Sequence, residues 1–291
     1  MAITANKILF GVSKLYYAVA TEADDGTLTF GTPVSIPGAV NLKLDPEGDT
    51  LTEYADNGIW TQVTASNGYK GSLEVECFPD SFRSDCLGET IDSVNGVVTE
   101  SALANPSHFA LMGEFSGDKK ARKWVYYYCL ATRPGADAKT KADKLDPMHE
   151  SVDLAICPRS DDSVVMRYTN ESVTDAIAAA WYTTVFDVPC LSSISASSIT
   201  ATAASVSFKS NKAGTYYYMV CSAATAAPTA AQIIAGETSV SSGNGAALAS
   251  TNTISVTGLS ASTAYTAYIV VKDTNSIASA VGSVNIMTIA A

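Results

Sequence analysis

The sequence predicts a mainly β protein built as two modules, and three observations lead to this prediction. The chain has 291 residues, 47% of them hydrophobic, which suffices for two hydrophobic cores. Fourteen tyrosines and abundant valine, isoleucine and threonine favour strands. Runs in which apolar and polar residues alternate recur along the chain, whereas helical periodicity is rare and short. We therefore expect strands joined by turns, with few helices.

The first module, residues 1–189, is predicted to be a β-sandwich or barrel. Turn signals such as Pro37-Gly38 and Asn95-Gly96 separate its alternating runs. These runs predict the strands Lys14–Thr21, Leu28–Ser35, Val40–Leu44, Gly71–Phe78, Phe109–Phe115, Lys123–Ala131, Ser151–Cys157 and Ser163–Tyr168.

Two short helices are also predicted in this module. Asp80–Leu87 has Phe82 and Cys86 one turn apart, and Gly88 supplies its C-terminal stop. Thr174–Tyr182 begins with a threonine N-cap and places its apolar residues on one face.

Residues 190–291 form the second predicted module, whose length of about 100 residues suits an immunoglobulin-type sandwich. A helix is predicted at Pro228–Ala235, with Gly236 as its stop. Gly243-Asn244-Gly245 lacks the pattern of a nucleotide-binding loop and is interpreted as a flexible loop. The predicted strands are Thr202–Lys209, Thr215–Ser222, Thr251–Thr257, Ala264–Lys272 and Val281–Thr288.

The stretch from Gly258-Leu259 to Thr263-Ala264-Tyr265 resembles the corner of fibronectin type III domains. The resemblance implies that Leu259 fills the core and that the Tyr265 hydroxyl bonds to the backbone of the preceding loop. Such a corner indicates a fold and says little about function.

Negative charge is concentrated in the first module. The net charge is −11 overall, and because residues 190–291 sum to +1, the first 189 residues carry −12. An acidic module repels nucleic acid. The basic cluster Lys119–Lys123 precedes the aromatic run Trp124–Tyr128, and we interpret it as a solvated turn leading into a strand.

The sequence contains no motif that points to catalysis or metal binding. The two histidines, His108 and His149, lie outside any nucleophile or metal-ligand pattern and are interpreted as ordinary loop residues. The six cysteines lack CxxC spacing, which favours reduced, buried thiols over disulfides or zinc. We expect a protein that is not an enzyme and needs no cofactor.

Targeting signals are weak. The apolar run Ile8–Val12 is too short for the core of a signal peptide, although Ala18-Val19-Ala20 has the spacing of a cleavage site. No run approaches the roughly 20 apolar residues of a membrane helix.

A connection of about 25 residues links the alternating runs Asn41–Asp45 and Gly71–Cys77, far longer than a usual hairpin loop of roughly 2 to 5. Loops of this length often have functional or interaction roles. This one combines turn residues with apolar and aromatic residues, which suits docking on a protein surface: Leu51, Tyr54, Asp56, Asn57, Ile59, Trp60, Val63 and Tyr69.

Alternation in two predicted strands separates a polar face from an apolar face. Ser72, Glu74 and Glu76 alternate with apolar residues in one strand, as Ser151 and Asp153 do in the other. The apolar partners are Leu73, Val75, Cys77, Val152, Leu154 and Ile156.

The first module resembles the major tail protein of long-tailed, non-contractile bacteriophages, the family whose rings build the tail tube. No single stretch decides this resemblance, which rests on the order and spacing of many. They are Val12–Ala18, Gly31–Val34, Pro37–Ala39, Glu53–Asn57, Gly68–Gly71, Leu87-Gly88, Asn95–Val98, Trp124–Tyr128 and Phe186–Val188.

The resemblance implies a hexameric ring with a shared inner barrel, in which the long loop reaches the next ring. Because a conduit for DNA should be negative inside, we expect Glu74, Glu76 and Asp153 to line the lumen. Implied partners are further copies of the chain, a tape-measure protein in the lumen during assembly, and terminator and distal tail proteins at the tube ends. DNA would pass without specific binding, and no membrane is involved. Residues 190–291 match the immunoglobulin-like domain of some members and would decorate the exterior. The implied location is the virion tail, assembled in the bacterial host cytoplasm.

Two alternatives remain open. A secreted bacterial surface or adhesion protein with an immunoglobulin-like domain would need a convincing signal sequence and repeated domains. The inner tube protein of a contractile injection system would share the tube fold.

Overall fold

Strands dominate the chain, which confirms the prediction of a mainly β protein. The computed structural model describes residues 11–24, 26–117, 121–135, 148–237 and 239–291, and within these it has twenty strands and three helices. The chain divides into two units, Met1–Phe186 and Asp187–Ala291, just before the expected boundary at Pro189.

The first unit contains thirteen strands and two helices within the described residues. They are β1 Val12–Glu22, β2 Leu28–Phe30, β3 Val34–Ile36, β4 Ala39–Glu47, β5 Thr50–Ala55, β6 Gly58–Thr64, β7 Gly68–Val75, α1 Asp80–Leu87, β8 Thr90–Asp92, β9 Val97–Thr99, β10 Phe109–Phe115, β11 Arg122–Ala131, β12 Glu150–Ile156, β13 Met166–Tyr168 and α2 Asp175–Ala180.

Nine of these strands form one antiparallel sheet. Its main order is β2-β1-β10-β11-β12-β7-β4, with β3 paired to β1 and β13 paired to β11. The sheet curls, so that side chains of β1, β10 and β11 share a core with side chains of β7 and β12. The largest members of this core are Leu15, Tyr17, Leu73, Phe78, Phe82, Phe109, Leu111, Trp124, Leu154 and Ile156.

Helix α1 closes this core and has the bounds that the sequence predicts. The ring of Phe82 is fully buried and stacks on Phe78 at 4.9 Å, with the edges of Tyr17 and Phe109 at 5.2 and 5.4 Å. Gly88 ends the helix in the left-handed region at φ 75°, where a side chain would be strained.

The opposite face of β1, β10 and β11 is covered by the segment around α2. Thr174 caps this helix by accepting a hydrogen bond from the Ile177 N–H. The helix ends at Ala180, before the predicted Tyr182, and the next residue, Trp181, is buried and stacks on Phe186 at 5.2 Å. The sheet is therefore covered on both faces here, which explains the nearly continuous burial of β10.

Two predicted strands differ from the structure at Pro33 and Cys77. The predicted strand 28–35 is interrupted at Gly31-Thr32-Pro33, and its halves pair with separate parts of β1. The predicted strand 71–78 ends at Val75, so alternation stops and Cys77 is exposed. The alternation of polar and apolar residues indicates which side chains share a face of a strand. It does not indicate where the backbone bends and the strand ends.

Lys123 corrects the interpretation of the basic cluster as a solvated turn. Its ammonium is buried and lies 2.8 Å from Glu114, which also bonds to Lys14 at 2.9 Å and to the Tyr182 hydroxyl at 3.1 Å. Residues 118–120 lie outside the described residues. Burial raises the pKa of Glu114, but the hydrogen bonds from the two lysines lower it by a larger amount. The pKa of Glu114 is therefore lower than that of a free glutamate.

The second unit is a sandwich of two antiparallel sheets. One has the order β14-β15-β18 and the other β17-β16-β19-β20. The elements are β14 Leu191–Ser197, β15 Ala203–Ser210, β16 Gly214–Ser222, α3 Ala230–Ala235, β17 Ser241–Ala247, β18 Thr251–Thr257, β19 Ala264–Asp273 and β20 Gly282–Met287. The interpretation of 243–245 as a flexible loop is wrong. Gly243 and Gly245 lie in β17 opposite Tyr218 and Tyr216, whose rings occupy the space of the missing side chains.

The corner expected at Tyr265 is present. Leu259 is buried, and the Tyr265 hydroxyl accepts a hydrogen bond from the Ser260 N–H at 3.0 Å. This bond lowers the pKa of Tyr265 and ties the loop to the start of β19.

We expect Tyr265→Phe to destabilise the second unit by about 1 kcal/mol, because the Ser260 N–H loses its acceptor. Calorimetric unfolding of the full chain measures this. Tyr217→Phe is the matched control, since the Tyr217 hydroxyl makes no hydrogen bond within the described residues. Equal effects of the two substitutions would contradict a stabilising role for the corner.

Candidate assembly surfaces

The segment between β4 and β7 is an extended arm formed by β5 and β6. The sequence predicted a long loop here, but the two strands pair from Thr50↔Thr64 to Ala55↔Gly58. Asp56 and Asn57 connect them with φ angles of 49° and 66°. Two consecutive left-handed residues define a type I′ turn, whose twist suits a two-residue hairpin. The Asp56-Asn57-Gly58 sequence was the available signal for this turn.

The arm exposes large apolar side chains. All residues of β5 and β6 outside Thr52 are exposed, and none of the arm's apolar side chains belongs to a core cluster. Tyr54 is 74% exposed and Trp60 is 69% exposed, and Leu51, Ile59 and Val63 are each more than half exposed. Together these five side chains present roughly 700 Å² of apolar surface, divided between the two faces of the arm, because Leu51 pairs with Val63 on one face and Tyr54 with Ile59 on the other.

A bulge interrupts the arm's ladder close to its tip. The register shifts by one residue between Glu53↔Thr61 and Tyr54↔Ile59, so Trp60 is the extra residue. A bulge of this kind bends the strand and leaves the extra residue without a cross-strand partner. Tyr54, Ile59 and Trp60 therefore all lie near the turn, within the last few residues of the arm.

Tyr69 does not belong to this surface, although the sequence grouped it with the arm. It lies in β7 and is half-buried against the core, with its ring 5.6 Å from that of Tyr126. The reason is that the hairpin closes before Gly68, which returns the chain to the sheet.

A polar face covers the outer side of β4, β7 and β12, and it includes the residues predicted to line a lumen. The register aligns Asn41, Glu74 and Ser151 in one row and Lys43, Ser72 and Asp153 in the next. Residues between these rows, such as Leu73 and Val152, are buried in the core. The predicted alternation is thus correct within these strands.

The two lysines of this face form ion pairs with carboxylates other than those predicted to line a lumen. Lys43 lies 3.4 Å from Asp45, and Lys70 bonds to Glu47, which raises the pKa of the lysine. Asp153 is exposed and has no ion pair within the described part of the chain. The carboxylates without a lysine partner are Glu74, Glu76 and Asp153.

His149 lies in the loop just before β12, as predicted, and its ring is between two of these carboxylates. Its Nδ1 is 3.2 Å from Glu74 and its Nε2 is 3.5 Å from Glu76. His108, by contrast, stacks on Tyr128 with ring centres 3.9 Å apart, and its burial lowers its pKa.

Strand β4 ends the sheet. It pairs only with β7 among the described strands, so the backbone groups along its other edge are available to another strand. Strand β1 lies beside part of this edge and Pro46 has no N–H, so the remaining stretch of the edge is the template for strand addition.

The β8–β9 hairpin is a second exposed apolar surface that the sequence analysis missed. Ile91, Val97 and Val98 lie on its strands, while Val94 at the turn and Leu103 just beyond are each 89% exposed. The Asn95-Gly96 turn signal was noted, but the short strands beside it were not predicted.

The described residues show no other chemistry that points to a site. The described residues contain no disulfide. The cysteines at 86, 129 and 221 are buried and Cys190 is half-buried, whereas Cys77 and Cys157 are exposed, which corrects the expectation of buried thiols for these two. No cluster of three or more His, Cys, Asp or Glu residues suited to a metal occurs in the described ranges. Among the described residues, no helix has the length and apolar character needed to cross a membrane.

Comparison with known proteins gives no family assignment. No protein-family model matches the chain, and a search of curated proteins finds no significant match.

Proposed function

We propose that this chain is the structural subunit of a bacteriophage tail tube. In this proposal six copies form a ring, rings stack into a tube, and the acidic lumen conducts DNA during ejection. A tape-measure protein fills the lumen during assembly, and terminator and distal tail proteins bind the ends. The second unit decorates the exterior of the virion tail.

The observation that carries the proposal is the arm. A hairpin that holds five large apolar side chains away from any core is costly in water and needs a partner surface. It extends the β4–β7 ladder outward by roughly 20 Å, away from the body of its own unit.

The polar face supports the role of a conduit. Five carboxylates and two lysines lie on it, and both lysines are paired with carboxylates. Excess negative charge repels phosphates, whereas unpaired lysines would bind DNA by counterion release and slow its passage. The open edge of β4 supplies the means of closing a ring, because a neighbour's strand can satisfy its backbone groups.

Negative-stain electron microscopy of the purified chain at high concentration tests the proposal. We expect stacked hollow rings with sixfold symmetry. Particles that remain single at every salt concentration would refute it. Solid fibrils without a lumen would refute it equally.

An adhesion role is the second candidate, favoured by the sandwich of the second unit, a fold common in cell-surface proteins. Ala18 and Ala20, which have the spacing of a signal cleavage site, are buried in β1, and cleavage there would cut a core strand. That observation weighs against secretion through this site.

A further inference from the structure

We propose that the arm of one copy docks on the β8–β9 hairpin of the next copy, so that the two surfaces form one head-to-tail junction. The inference names the receiving surface for the arm and rests on the proposed function only for the assignment of the junction to stacked rings. We define the hairpin surface by Ile91, Val94, Val97, Val98 and Leu103, of which the paired Ile91 and Val98 lie on one face of the hairpin and Val97 on the other.

The two surfaces lie at opposite ends of the β4–β7 ladder. The arm leaves the ladder at Glu47↔Gly68, whereas the chain leaves its other end at Val75 and continues through α1 to β8. The eight residues of β7 separate these ends by roughly 25 Å. Copies joined through the two surfaces therefore extend in one direction.

Ion pairs fix the β8–β9 hairpin to the Val75 end of the sheet. Arg83 of α1 bonds to Glu150, the partner of Val75 in β12, at 2.6 Å, and to Glu89 at 3.3 Å. Arg133, just after β11, bonds to Glu100 at 2.7 Å. The hairpin is thus held at both its beginning and its end.

The turn that presents Val94 is also built by side-chain bonds. Asp92 accepts hydrogen bonds from the N–H groups of Val94 and Asn95 and from the Asn95 side chain, at 2.7 to 3.1 Å, and these bonds lower its pKa. Gly96 completes the turn at φ 68°. A defined turn with an apolar tip suits a docking surface.

The exposed apolar areas reach the size of a specific contact only if both faces of each hairpin are covered. Counted over both faces, the hairpin surface exposes roughly 500 Å² and the arm roughly 700 Å². A contact that covers both faces buries about 1,200 Å², the lower limit of standard interfaces.

The two surfaces differ, so the contact between copies is heterologous. A contact between different patches continues from copy to copy instead of stopping at a dimer. Contact of one arm with another arm would be isologous and would leave the hairpin surface exposed.

Two charge substitutions test the junction by complementation in the full chain. Trp60→Asp damages the arm and keeps the hairpin, while Val97→Asp damages the hairpin and keeps the arm. We expect each variant alone to stack poorly, with the critical concentration for tube formation raised roughly tenfold or more, because a buried unpaired carboxylate opposes docking. Ser93→Asp adds the same charge to the hairpin without removing an apolar side chain and should assemble nearly as the native chain does.

Mixing the two variants tests whether the arm of one chain binds the β8–β9 hairpin of another. The arm of the Val97→Asp chain can still dock on the hairpin of the Trp60→Asp chain, so the mixture should form paired particles that neither variant forms alone, as measured by sedimentation velocity. Normal tubes from Val97→Asp, or no complex on mixing, would overturn the inference. Either result leaves the proposed function standing if the native chain builds hollow tubes. If the mixed variants form paired particles but the native chain builds no tube, the contact between arm and hairpin is supported and the proposed tail-tube function is refuted.

Crosslinking gives an independent readout. In a Cys77→Ser, Cys157→Ser background, Ile59→Cys and Val97→Cys are made in separate chains. We expect an interchain disulfide when the two chains are mixed and little from either alone. Equal crosslinking in all three samples would overturn the inference.

Discussion

Removing the arm is expected to abolish tube formation and leave the subunit folded. Deletion of residues 49–65 joins Gly48 directly to Ser66. The flanking residues Glu47 and Asn67 are already joined by a backbone hydrogen bond of 2.8 Å from the Asn67 N–H to the Glu47 carbonyl, as in a closed turn. A Gly-Ser pair suits a two-residue type II′ turn, so the ladder can end there without strain. If the proposed function is correct, electron microscopy should show no tubes from the shortened chain at concentrations at which the native chain forms them.

Folding of the shortened chain is the control. Because the arm's side chains lie outside the cores, we expect the midpoint of urea unfolding to change little. The buried tryptophans Trp124 and Trp181 report this, since both lie in the first unit. Normal tubes from a folded, shortened chain would exclude the arm from assembly. Loss of the arm's five apolar side chains by alanine substitution should reproduce the deletion.

Phe82→Ala is expected to destabilise the first unit by about 3–5 kcal/mol, a large share of a domain's total stability. The ring is fully buried among Tyr17, Phe78 and Phe109, so its removal leaves a cavity beneath α1. Tryptophan fluorescence in urea measures the effect on this unit alone, because all three tryptophans precede residue 187.

Phe82→Leu is the control that shows whether the effect of Phe82→Ala comes from the lost side-chain volume or from disruption of α1. It refills most of the cavity and should cost about 1–2 kcal/mol. Calorimetric unfolding of the second unit should be unchanged in both variants. A cost below 1 kcal/mol for Phe82→Ala would mean that α1 contributes little to this core.

Local patterns determined much of the fold. Helix α1 was predicted with its observed bounds because an apolar pair one turn apart and a terminal glycine are signals within a few residues. The burial of Leu73 and Val75 opposite Ser72 and Glu74 followed from strand alternation alone. The Tyr265 corner could be predicted from its resemblance to a known motif. The motif is local, because its hydrogen bond joins residues only five positions apart.

The arm was predicted as a surface but not as a hairpin. Alternation marks a strand only when one face is buried, and β5 and β6 bury neither face, so their pairing left no apolar period to detect. The strands of the β8–β9 hairpin were missed for the same reason. Tyr69 was assigned to the arm because sequence does not reveal where a ladder resumes.

The sequence by itself determined that this protein is built of strands, that its first part is acidic, and that an apolar segment lies between two strands of a sheet. Only the tertiary structure decided that Lys123 is buried against Glu114, that Lys43 and Lys70 neutralise other carboxylates than Glu74, Glu76 and Asp153, and that two apolar surfaces lie at opposite ends of one ladder. These facts depend on contacts between residues far apart in the chain, which local patterns do not specify.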